Sequence, residues 1–87
     1  MAATPVVYNL VADTWTLVAT AVRFGVIWLT DVTPTYKQTY VLTGAAAPVV
    51  DTLAVNFVDC YCVIDSDDPI DVYVKSVSVA GSVRVDL

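Results

Sequence analysis

The closing stretch of the chain, DVYVKSVSVAGSVRVDL at residues 71 to 87, repeats with a period of two over its later part. Tyr73, Val77, Val79, Val83, Val85 and Leu87 stand at odd positions, while Ser76, Ser78, Ser82, Arg84 and Asp86 stand at even ones. Successive side chains of a strand point to opposite sides of a sheet, so this pattern gives one apolar and one polar face, and the segment reads as strand. Gly81 marks a turn. A two-residue loop at Ala80-Gly81 would set Val77 opposite Arg84 and mix the faces. A three-residue loop Val79-Ala80-Gly81, with Gly81 in the left-handed conformation, pairs Val77 with Val83, Tyr73 with Leu87 and Ser76 with Arg84. The expectation is a one-sided hairpin.

The rest of the chain has the same bias. Nineteen valines, ten threonines and three isoleucines make more than a third of the 87 residues β-branched, and no glutamate is present. Branching at Cβ restricts side chains in helices and packs well on a pleated sheet. Val6 to Val11 reads as a first strand. Trp15 and Leu17 share one parity of a second, and around Ala21 the alternation restarts. From there Val22, Phe24, Val26 and Trp28 occupy one face, and Arg23, Gly25, Ile27 and Leu29 the other. Both faces are mainly apolar, which predicts a central strand or one at a subunit contact. Residues 30 to 38, TDVTPTYKQ, read as a polar loop, 39 to 43 as a short strand and 44 to 49 as a connection. Residues 51 to 58 and 60 to 64 read as two further strands, and DSDDP at 65 to 69 as a turn into the final hairpin. The fold class expected is all-β: a single domain over 1–87, a small β-sandwich or barrel of about six to eight short antiparallel strands.

Charge and length narrow the function classes. Nine aspartates against four basic residues give a net charge of −5, and Arg23, Lys37, Lys75 and Arg84 are scattered, which argues against nucleic acid as a direct partner. The longest stretch without a charge, 38 to 50, is 13 residues and is interrupted by Gly44 and Pro48, short of the roughly 20 that a membrane-crossing helix needs. No basic segment followed by an apolar core opens the chain, so no secretory signal is expected. With 57% hydrophobic residues in so short a chain, some apolar surface is expected to be covered by another copy.

Candidates for chemistry are few. The absence of histidine removes the commonest general base and metal ligand. Cys60 and Cys62 form a C-x-C within a predicted strand and are read as buried free thiols, because a zinc site would need two more Cys or His ligands. Asp65, Asp67, Asp68 and Asp71 cluster as calcium ligands or paired carboxylates do, but the stretch lacks the glycine and distal glutamate of an EF-hand loop and Pro69 ends it, so a solvated turn is the reading. Trp15, Trp28, Tyr36, Tyr40, Tyr61 and Tyr73 are assigned to core and interface packing rather than to a stacking platform. Tyr36 and Lys37, in the loop beside Pro34, and Asp65, Asp67 and Asp68, in the acidic turn, are the candidate partner contacts. The expectation is a binding protein without catalysis and without a cofactor.

A family resemblance rests on three segments. IDVYVKSVSVAGSVRVDL, residues 70 to 87, resembles the C-terminal end of small virion proteins of tailed bacteriophages, in which a hydrophobic-D-V-Y-V strand leads through a glycine-containing turn to a V-R-V-D ending. TWTLVAT at 14 to 20 and TPTYKQTYVLTGAAAP at 33 to 48 are similar in order and spacing, although the pair of cysteines is not part of the pattern. The resemblance implies a capsid decoration or cement protein, made in the host cytoplasm, that sits as a homo-oligomer, commonly a trimer, on the outside of the virion and bridges subunits of the major capsid protein. A tail, neck or head-fibre component, or a small carbohydrate-binding β-sandwich, are the alternatives.

Overall fold

A computed structural model describes residues 6–30, 35–47, 55–56 and 61–86, with the side chains of 55–56 excepted. The described chain is all-β. Six strands form one antiparallel sheet: β1 (Val6–Leu10), β2 (Thr16–Leu29), β3 (Thr35–Leu42), β4 (Val55–Asn56), β5 (Tyr61–Val77) and β6 (Gly81–Asp86). Their order across the sheet is β1-β6-β2-β5-β3-β4, which puts β2 and β5, the two long strands, in the middle. Residues 22 to 29, expected to be central or at a subunit contact, are central in the sheet. The sheet curls. Tyr36 on β3 reaches Ser82 on β6, with β2 and β5 between them in the order, and Ala12, after β1, forms a parallel bridge to Ser76 at the end of β5.

Three expectations are corrected by this topology. First, the closing segment does form two strands, but they do not pair as a hairpin: β5 lies between β2 and β3, whereas β6 lies between β1 and β2. The chain between them is held by other partners. Ser78 takes a left-handed φ of 71° and donates its N–H to Asp13 Oδ1 at 2.9 Å, and the Ser76 hydroxyl donates to the Val79 carbonyl. The alternation still fixes the inward face, with Val83 opposite Tyr8 and Leu29, and Val85 opposite Val6 and Ile27.

Second, the loop expected over 30 to 38 is strand from Thr35 on, because Thr35 to Leu42 pair in unbroken register with Val77 to Ile70. Third, the turn at 65 to 69 does not end a strand. Asp65 and Ile70 both stay in the β2–β5 ladder, and Ser66 to Pro69 oppose the single residue Arg23 as a broad bulge.

Two further bulges interrupt the same ladder. Val18 is extra between Leu17↔Tyr73 and Ala19↔Val72, and Thr20-Ala21 oppose Asp71 alone. Each bulge inverts the inward parity of β2, so Thr16, Ala19, Val22 and Gly25 in turn share a face with the core. The two strands read around Ala21 are one strand with a kink. The core on that face comprises Leu10, Val18, Ala19, Val22, Ile27, Tyr36, Ile64, Val72, Val74, Val83 and Val85. Of the strand expected over 51 to 58, only 55–56 lies among the described residues.

Candidate interaction surface

The side of the sheet turned away from the core carries the most unusual surface. Register sets it out in rows. Tyr61, Trp28, Arg84 and Val7 lie side by side across β5, β2, β6 and β1; next come Val63, Val26 and Asp86, and then Asp65 and Phe24. Phe24 is 66% exposed, Val7 58%, Val63 48% and Tyr61 44%, so water meets a contiguous apolar and aromatic area. Trp28 is fixed within it. Its Nε1 donates to Asp86 Oδ2 at 2.9 Å, Arg84 donates to the same oxygen at 3.1 Å and lies 5.4 Å over the indole, and the Tyr61 ring stands 5.2 Å away, tilted by 40°. Aromatic and arginine side chains locked in this way supply contact area at small entropic cost.

The same contacts limit what the aromatics offer a sugar or base. One face of Trp28 is taken by Arg84, and Trp15 has the Lys75 ammonium 5.2 Å over its ring. Tyr40 stands beside Cys62, Oη to Sγ 3.4 Å, while Cys62 Sγ donates to the Val63 carbonyl at 3.7 Å, so the phenol hydrogen is the one given to sulfur. Partial burial of Tyr40, and then the contact with Cys62, hold its phenol protonated well above the ordinary value of 10.0.

The expected contact residues are divided by the fold. Tyr36 is corrected outright: it is 2% exposed, and its hydroxyl accepts from Ser82 N–H and donates to Ser82 C=O, both at 3.2 Å. A tyrosine in strand register with Ser76 points into the core, which the loop reading had no means to show. Lys37 is half-buried opposite Lys75, on the part of the outward side formed by β3 and the second half of β5. Asp65, Asp67 and Asp68 are exposed, and Asp65, cross-strand to Phe24, borders the apolar area.

Asp71 does not join the other three. It is 7% exposed, and its Oδ1 accepts the N–H of Ala21 at 3.0 Å, pinning the bulge where Ala21 holds φ 52°. No three of the described Cys, Asp or Glu side chains converge as metal ligands. Cys62 is a free thiol, half-buried rather than buried, and Cys60 lies outside the described residues. The hydroxyls of Ser66, Ser76 and Ser82 meet the Asp68 carbonyl, the Val79 carbonyl and the Thr30 hydroxyl. No helix of the described residues is long and apolar enough to cross a membrane.

Sequence reasoning missed Phe24, Val63, Arg84 and Asp86 as members of one surface. Its signal was present in the apolar alternation of residues 22 to 29: Phe24, Val26 and Trp28 lie in this area and Gly25, Ile27 and Leu29 on the core side, whereas Val22, expected beside Phe24, is in the core because the bulge opposite Arg23 inverts the parity. Comparison with known protein families, with curated proteins and with solved structures finds no match to the chain.

Proposed function

We propose that this chain is a structural protein of a bacteriophage particle, which assembles with further copies of itself, binds the outside of the capsid and strengthens it without turning over a substrate. The observation that carries the reading is the outward area around Phe24, Val63, Tyr61 and the braced Trp28–Arg84–Asp86 group. It has the composition of a protein-binding surface: an apolar centre, fixed aromatics, and the acidic Asp65, Asp67 and Asp68 at one border. The likeness of residues 70 to 87 to small phage virion proteins supports the choice of a capsid as partner. It rests on the order of residues alone, since the two strands of that segment are not paired with each other.

Such a protein acts by linkage. Binding the intact shell better than its loosened state shifts the balance between them, and many weak copies add through avidity. A thermal-release assay on particles with and without the chain tests this. Decorated particles should hold their genome to a higher temperature, and Phe24→Asp should abolish the difference while leaving the chain folded. Equal release temperatures would count against the reading.

A further inference from the structure

We propose that the free edge of β1 pairs, antiparallel and about a two-fold axis, with β1 of a second copy of the chain. This rests on the reading that the chain assembles with itself, and it names the surface. A strand that ends a sheet leaves one row of N–H and C=O groups without ladder partners, and the group that satisfies such a row is another extended backbone. Among the described residues β1 is bonded on one side only, to β6.

The sequence of this edge, VVYNL, lacks the devices that keep edges apart. It has no lysine, no proline and no other charged residue, and its five register pairs with β6 run without a bulge. Every longer described strand carries charge: Arg23 in β2, Lys37 in β3, Lys75 and the aspartates in β5, Arg84 and Asp86 in β6. Two copies of a chain of net charge −5 repel each other, and this edge is where approach is least opposed.

The strand is also complementary to itself. A two-fold axis through Tyr8 sets Val6 opposite Leu10 and Val7 opposite Asn9 of the second copy, with no charge meeting its like. The core is open at this place. Val6 has the inward parity of its partner Val85, which is 3% exposed, yet Val6 itself is 47% exposed, and Val7 on the other side is 58% exposed. An added strand covers both.

The test follows mass and amide exchange along one dilution series of the wild-type chain. The expected result is an assembly of two chains, or an even multiple, in which the β1 amides pointing away from β6 are protected and lose that protection as the mass falls to 9.3 kDa. Val7→Lys, at an exposed position, should weaken association by about tenfold. Leu42→Lys, 66% exposed on β3 at the other side of the sheet, should not. Should Val7→Lys fail to fold, the wild-type series decides alone.

A monomer at every concentration, three chains, or outward β1 amides that exchange freely within the assembly would each overturn the proposal, as would protection that arises only when a different protein is added. Assembly through another surface would leave the capsid reading standing. A β1-paired dimer absent from particles would do the reverse.

Discussion

Gly81 has no room for a side chain because Tyr36 occupies the space. A Cβ there would stand against the Tyr36 hydroxyl and 2.9 Å from its Cζ, and that hydroxyl is already committed to both backbone groups of Ser82. The sequence marked Gly81 for a left-handed turn, but Gly44, at φ 85°, is the described glycine with positive φ. Close approach, not backbone angle, is the reason at 81. Gly81→Ala should cost about 1–3 kcal/mol by overpacking, and Tyr36→Phe a similar amount because the Ser82 N–H loses the hydroxyl it donates to. Urea unfolding midpoints check both, and an unchanged midpoint for Gly81→Ala would contradict the close approach of Tyr36 to Gly81. Tyr40 gives a pH dependence. Its phenol ionises at higher pH folded than unfolded, so its contribution to stability is complete below pH 10 and is lost as pH rises beyond it. Stability measured across that range should fall more steeply for the wild type than for Tyr40→Phe. Tyr36 was illegible in the sequence because Pro34, Thr35 and Lys37 mark a loop locally, while its burial comes from pairing with Ser76, far along the chain.

Among the elements, β2 and β5 show what alternation can and cannot convey. The restart of the pattern at Ala21 was legible and is a physical bulge, with Ala21 at φ 52° held by Asp71. Left-handed backbone costs an alanine roughly 1–2 kcal/mol, so Ala21→Gly should stabilise the chain by about 0.5–1 kcal/mol. Asp71→Ala should destabilise it by about 1–3 kcal/mol, because the Ala21 N–H loses a charged acceptor. Thermal unfolding of the two variants should move in opposite directions, and a shift of Asp71→Ala to higher temperature would contradict the bulge account. The faces of Val83 and Val85 were likewise legible. Their neighbours were not, since parity states which side of a sheet a residue takes and is silent about which strand lies beside it. Val83 matches Val77 in a hairpin as well as it matches Tyr8 and Leu29 in the sheet that forms. The ties of Ser78 to Asp13 and of Tyr36 to Ser82, both long-range, favour the second arrangement.

For the whole molecule, the all-β class was legible from the density of Val and Thr and the absence of any helical period, and one sheet holds all six described strands. The candidate surface was half legible. Apolar residues on both faces of 22 to 29 announced a second contact, but its members come from four strands that only the topology brings together. That surface and the uncharged edge of β1 carry the two associations proposed for the chain, with a capsid and with a second copy. The measurement that tests the capsid claim most directly is cryo-electron microscopy of purified particles containing the chain. The account predicts density for it on the outer capsid surface, with Phe24, Val63 and Tyr61 turned toward the major capsid protein. Density confined to the tail or neck, or particles that never contain the chain, would contradict it.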